Sequence, residues 1–336
     1  MKILVCCPRG YYSKLTGDSY EYLSFVDELR RMGHRVHHYD HILGAAGGRE
    51  ALNDFILSIL RHGGYDLFLV VTHKDEFFPE MLEEAKRYAL TLAWNCDDDY
   101  RWEEYSSKWV DRYTYMVTTY RHIYEANRAR YPNLVLSQWG CVDLYDGMSV
   151  PKDIPISFVG SCYAKRRPQV NRLRRELGMA AYGQGVGPPP TLLNWLRPRI
   201  AWRLFGVWYT GEDRELPDQK AVKGIWNRSR ISFTPLDASC GQTLQIKGRI
   251  FDMGLSGTVM LCNRNPALYE FYEPGKEFVE FETLDECVDK ARYLLSHESE
   301  RAAIAERYYR RTRAEHLWRY RFERLFRQIG LVGNTR

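Results

Sequence analysis

Short apolar runs rich in β-branched residues alternate with longer amphipathic stretches along almost the whole chain. That alternation confines it to the parallel α/β folds. In the first half, strand-like runs fall at Lys2–Cys7, Arg35–Tyr39, Leu67–Thr72, Leu90–Asn95, Tyr115–Thr118 and Leu134–Ser137. Helical spacing separates them: Tyr22, Leu23, Val26, Leu29 and Met32 line one face of a helix over Tyr20–Met32, and Gly33 stops it. The stretch Val150-Pro151-Lys152-Asp153-Ile154-Pro155 reads as an extended linker, after which the alternation restarts at Ile156–Gly160. Further strands are expected at Leu204–Val207, Ile231–Thr234, Thr258–Cys262 and Glu277–Phe281. Helices are expected over Arg166–Leu177, Gln219–Ser229, Thr243–Leu255, Leu284–Ser296 and Glu300–Arg313.

With 336 residues and two such series, the expectation is two Rossmann-like domains, residues 1–150 and 151–315. The last helix, His316–Ile329, carries too many aromatic and Leu residues for a free tail, so residues 316–336 are expected to pack back on the first domain. One stretch fits neither series: Gly183–Gly211 strings Leu, Trp and Ile between Arg197, Arg199 and Arg203, as a cover over an interdomain cleft or a membrane-surface element would. Hydrophobic residues at 45% against 27% charged exclude a disordered chain. The formal charge of +5 suits a phosphate-bearing ligand or a polyanion and selects neither. The eight Cys show no C-x-x-C pair and no zinc spacing, so they read as buried free thiols. Nothing resembles a signal peptide or a run of about twenty apolar residues, and a cytoplasmic location is expected.

Two α/β domains facing a cleft put a ligand site at the carboxyl ends of the strands. The second domain offers the turn Asp237-Ala238-Ser239-Cys240-Gly241-Gln242-Thr243 and then a helical pattern with Lys247 and Arg249, cations suited to a diphosphate. Gly160 and Ser161 close the first strand of that domain, either as a tight turn or as part of the phosphate site. In the first domain, His73 follows one strand and Asp97-Asp98-Asp99 another. D-x-D after an apolar strand can hold a divalent ion beside a diphosphate; capping of the next helix, or acceptor binding, explains the cluster more simply.

At this point the motifs become those of a known family. Lys247-Gly248-Arg249-Ile250-Phe251-Asp252-Met253-Gly254 and the apolar strand after it resemble the donor-binding segment of group-1 glycosyltransferases, in particular the CgeB-like branch. Tyr272-Glu273-Pro274-Gly275-Lys276-Glu277 resembles the family's F-x-P-G-x-E turn, and Glu300-Arg301-Ala302-Ala303-Ile304-Ala305 its E-R-x-x-I-A helix. His316–Arg321 resembles the closing H-T-x-x-x-R, Trp94-Asn95-Cys96-Asp97-Asp98 the W-x-x-D-D, and Ile156–Gly160 with Ser161 and Arg166 the F-x-G-S…R.

The resemblance implies a GT-B fold with an N-terminal acceptor domain and a C-terminal nucleotide-sugar domain. It implies transfer of a sugar from a nucleotide-diphosphate sugar, with a UDP-sugar the expected donor, to a hydroxyl of a saccharide, a lipid-linked glycan or a small molecule. Retention of anomeric configuration is implied, the donor phosphate helping to take the acceptor proton, with no metal and no cofactor. Lys247 and Arg249 then face the diphosphate together with Gly160, Ser161 and Arg166, and Asp252 stands where relatives carry a ribose-binding Glu. A second Glu eight positions earlier is Leu244 here, so Gln242 or Thr243 would supply that contact. An inverting enzyme would instead need a base, for which His73, Asp97 and Asp98 are the candidates. Two other readings are open: an acceptor that is a hydroxylated base in DNA, and a nucleotide-sugar-binding protein without turnover.

Overall fold

The computed structural model describes residues 1–10, 17–143, 146–162, 166–186, 218–238 and 243–331. The chain divides into two compact units: unit 1 is Met1–Val142 with His316–Arg336, and unit 2 is Asp143–Glu315.

Unit 1 holds a six-stranded parallel sheet of β1 (Lys2–Cys6), β2 (Arg35–Tyr39), β3 (Leu67–Val71), β4 (Leu90–Trp94), β5 (Tyr115–Thr118) and β6 (Leu134–Leu136), in the order β2-β1-β3-β4-β5-β6. Each matches an expected strand to within a residue. β3 is buried at every position, as an inner strand covered on both faces must be, and this is why it reads as an unbroken apolar run. Cys6 pairs with Tyr39 and Val70, and Val71 with Trp94. The carboxyl ends of these strands therefore line up, and the loops after β3 and β4 leave the same edge.

The last helix, Trp318–Gln328, completes this unit. Trp318 is fully buried, its ring 5.3 Å from that of Trp94 and 4.9 Å from that of Phe25. Cys141 and Leu317 form a parallel bridge in which Cys141 N–H donates to His316 O (2.8 Å) and Trp318 N–H to Cys141 O (2.9 Å). A Cβ on Gly140 would lie 2.9 Å from the Trp318 backbone, so only glycine lets the two segments meet.

Unit 2 holds a second parallel sheet, of β7 (Ile154–Val159), β8 (Ala180–Tyr182), β9 (Ser229–Phe233), β10 (Val259–Asn263) and β11 (Val279–Phe281), in the order β11-β10-β9-β7-β8. β8 was not among the expected strands, and the expected strand Leu204–Val207 lies outside the described residues, as does most of Gly183–Gly211. The linker is fastened to unit 2 through Lys152, whose Nζ donates to Gly147 O (2.9 Å), Asn227 O (2.6 Å) and Ser256 O.

One helix differs from expectation where it matters most. The pattern over Thr243–Leu255 becomes a helix only at Gly248–Gly254. Leu244 instead bridges Asp237 antiparallel, with Ala238 N–H donating to Thr243 O (2.8 Å) and Gln245 N–H to Leu236 O (2.8 Å). Backbone pairing across this hairpin takes the donors that a helical first turn would have used. The short helix is locked from behind by Glu298–Glu315: Tyr308 OH donates to Ile250 O, and a Cβ on Gly254 would fall 1.9 Å from Thr312 Oγ1.

Replacing Trp318 by Ala is expected to remove about 3–5 kcal/mol from the stability of unit 1, as read by urea unfolding. A loss under about 1 kcal/mol would show that the aromatic cluster does not depend on it.

Candidate functional site

In unit 2, three cations gather at the carboxyl edge of the sheet, and each is fixed by backbone carbonyls. Arg166, 2% exposed at the start of the helix Arg166–Leu177, donates from Nη1 to Ser161 O (3.2 Å) and from Nη2 to Asp237 O. Lys247 Nζ donates to that same Asp237 carbonyl. Arg249 Nη1 donates to Val159 O (3.2 Å), the last residue of β7. Gly160, next in the chain, has a φ of 149°, and a Cβ there would lie 2.8 Å from Arg249 Nη1. The glycine thus serves both a backbone turn and the close approach of a guanidinium. Arg166, Lys247, Arg249, Gly160 and Ser161 are brought together along one edge. Thr243 joins them through its pairing with Ala238, and its Oγ1 is buried with no hydrogen-bond partner among the described residues. Gln242 lies outside the described residues.

Asp252 does not stand as expected for a ribose contact. It is 3% exposed and its Oδ1 lies 3.3 Å from Nζ of Lys223, itself 5% exposed on the helix Gln219–Arg228. The carboxylate is held inside the unit as one half of a buried ion pair, because a charge taken out of water needs a partner close by. The helix expected from Thr243 starts only at Gly248, and Leu244 pairs with Asp237 instead.

In unit 1 the three candidate bases divide. Asp98 is 1% exposed, and its Oδ1 accepts from Ser106 Oγ at 2.5 Å. Burial pushes its carboxyl up against the opposing hydrogen bonds from Ser106 and Thr118. It organises the segment after β4 and is closed to substrate, which corrects its reading as a base. Asp97 keeps partial exposure and accepts from Tyr100 OH (3.1 Å). His73 follows β3 with its side chain 29% exposed, and its Nδ1 lies 3.1 Å from Glu76 Oε1. Glu76 was missed by sequence reasoning; the signal was the local spacing His73-x-x-Glu76. Burial raises the Glu76 carboxyl, but the hydrogen bond from His73, the field of His41 and the backbone N–H groups outweigh it and hold it down at about 2. Among the described residues no three His, Cys, Asp or Glu side chains come together as metal ligands, and no helix is long and apolar enough to cross a membrane.

The fold and this edge can now be set beside known proteins. Residues 190–327 match the family model described as glycosyl transferase-like. The fold is the GT-B fold. HepE of Anabaena, solved with UDP-glucose, superposes on the chain with a TM-score of 0.63 at 12% identity, over 99% of this chain and 100% of that one. A glycosyltransferase from Rickettsia africae gives a TM-score of 0.62 at 11% identity, over 100% and 99%. The pneumococcal O-GlcNAc transferase GtfA, solved with UDP and GlcNAc, gives 0.53 at 14% identity over 85% of this chain, which spans only 61% of its length. At these identities the superpositions establish the shared fold. No curated protein matches the sequence.

Two outcomes test this description. Gly160→Ala is expected to cost about 1–3 kcal/mol of stability through backbone strain and to displace Arg249; urea unfolding at unchanged secondary structure by circular dichroism reads it. Glu76, ordinarily near 4.5 and held at about 2 in the folded chain, contributes stability that is present above about pH 4.5 and fades as the pH falls toward 2. Urea midpoints measured from pH 6 to pH 2.5 should fall more gently in Glu76→Gln than in the parent.

Proposed function

We propose that this chain is a glycosyltransferase that uses a nucleotide-diphosphate sugar, with a UDP-sugar as the donor, and transfers the sugar to a hydroxyl of a saccharide or another small hydroxylated acceptor. The observation that carries this reading is the convergence of Arg166, Lys247 and Arg249 on carbonyls at the carboxyl edge of the unit 2 sheet. Those hydrogen bonds set the positions of the three cations before any ligand arrives. When the anomeric C–O bond breaks, negative charge grows on the leaving diphosphate, and cations already in place stabilise it without reorganising. Arg249 and Lys247 are the residues we assign to the diphosphate, with Arg166 holding the loop that carries Ser161 and Gly160 lining its floor. Thr243, whose buried hydroxyl is without a hydrogen-bond partner among the described residues, is assigned to the donor as well. We propose no metal: fixed side-chain cations carry the charge. Retention of configuration, with the donor phosphate taking the acceptor proton, membership of the CgeB-like branch and a cytoplasmic setting are parts of the same proposal.

The family match over residues 190–327 and the fold shared with proteins solved with UDP support the reading. Calorimetry with UDP, GDP, ADP, CDP and TDP tests it. At least one diphosphate should bind. Lys247→Ala and Arg249→Ala should each weaken that binding roughly ten- to hundredfold, the worth of one charge-assisted contact. If no nucleoside diphosphate binds the parent chain, the proposal fails.

A further inference from the structure

Just past β2 in unit 1 lies a histidine that the candidate site does not use. His41 begins the short helix His41–Ala46 and is fully buried, and neither Nδ1 nor Nε2 has a hydrogen-bond partner among the described residues. Its ring stacks on that of Phe77, in the loop after β3, with centroids 5.8 Å apart and planes at 15°. Phe77 in turn stands edge-on to Phe68 of β3 at 5.7 Å. The imidazole is thus part of an apolar contact that joins the helix after β2 to the loop after β3. The rest of that loop is clamped by polar groups: Arg101 Nη2 donates to His73 O (2.7 Å) and Tyr105 OH to Lys74 O. On the helix Arg49–Gly63, Asn53 donates to Glu76 O (2.9 Å) and accepts from Phe78 N–H (2.8 Å), while Arg49 Nη2 donates to Phe77 O (3.1 Å).

Two carboxylates favour a charge on His41, and both are engaged elsewhere. Asp40 caps the helix, accepting Leu43 N–H on Oδ1 (3.1 Å) and Arg9 N–H on Oδ2 (2.8 Å). Glu76 accepts Lys74 N–H (2.9 Å) and faces His73 Nδ1 (3.1 Å). His38 on β2 and His73 in the loop oppose a charge on the ring, and Arg49 is paired with Asp75 at 3.4 Å. An imidazolium here would bring two N–H donors to a place that offers no acceptor, at a far greater cost than the neutral ring. Burial accordingly pulls His41 down to about 4, against the fields of Glu76 and Asp40.

We infer that His41 is an acid-sensitive latch: once protonated it leaves its stack on Phe77, and it gains an acceptor only by drawing Asp40 off the helix cap or Glu76 out of the loop after β3. Either movement loosens the carboxyl edge of the unit 1 sheet beside β2 and β3. The inference rests on the fold alone and is independent of the transferase reading. Its sign follows from proton linkage. With the latch open, His41 binds a proton below its ordinary 6.5; closed, it does so only near 4. The closed state is therefore at full strength above about pH 6.5 and weakens as the pH falls through that window.

Hydrogen–deuterium exchange of the full chain, corrected for the intrinsic pH dependence of exchange, reads the opening in peptides covering residues 40–47 and 73–80. Between pH 7 and pH 5 the opening constant of the parent should rise roughly ten- to twentyfold. Glu76, ordinarily at 4.5 and held at about 2, adds little in that range. The rise should disappear in His41→Phe, which keeps a ring and removes the titrating group, and in His41→Gln, which keeps a polar side chain unable to charge. His41→Gln carries the conclusion where the larger phenyl ring disturbs the packing. His38, also held down by burial, stays in both variants, so their difference from the parent reports on His41. In 1H–13C spectra of the parent, the His41 ring should show no titration above about pH 5. A ring titrating near 6.5, a parent without the rise, or the same rise in His41→Gln overturns the inference.

Discussion

A cation drawn even partly out of water has to find acceptors, and in unit 2 the acceptors are main-chain carbonyls at the ends of strands. Arg166 and Lys247 meet on Asp237 O, and Arg249 takes Val159 O. Each bond ties one cation of this edge to the loop that has to stay in place for the next one. The rest of the site follows from this constraint: Gly160 because the guanidinium passes where a Cβ would be, the hairpin Asp237–Leu244 because it presents the shared carbonyl, and the short helix Gly248–Gly254 because Glu298–Glu315 braces it from behind.

The parallel sheets were legible because inner strands leave no choice of face. Runs such as Leu67–Val71 and Val259–Cys262 are apolar at every position, as inner strands covered on both faces must be. Ala180–Tyr182 escaped notice because three residues with two alanines carry no period. The helix over Thr243–Leu255 was set too early since Leu244, Ile246, Ile250 and Phe251 share helical spacing. Cross-strand pairing with Asp237, a long-range choice, overrode that local pattern.

The site was legible in its residue types and less so in their roles. Lys247 and Arg249 stood out as cations beside a turn, and they do lie at the strand ends. Asp252 could not be read correctly because its partner, Lys223, stands 29 positions earlier on another helix. Asp98 looked like part of an exposed acidic run, whereas Ser106, from the next turns of chain, draws it inward. His73 and Glu76 are the reverse case, a pair close in sequence whose meaning appears only once Asn53, Arg49, Arg101 and Tyr105 are seen to hold the loop between them.

The bridge between Cys141 and Leu317 bears on the order in which the molecule is made. A chain leaving the ribosome presents all six strands of unit 1 before any strand of unit 2, yet the aromatic surface of Trp94, Trp139 and Phe25 has to wait for Trp318. Unit 2 is synthesised in between and can close on its own residues first. The unit whose strands are made first is therefore the last to be finished, and until then its uncovered rings are open to aggregation.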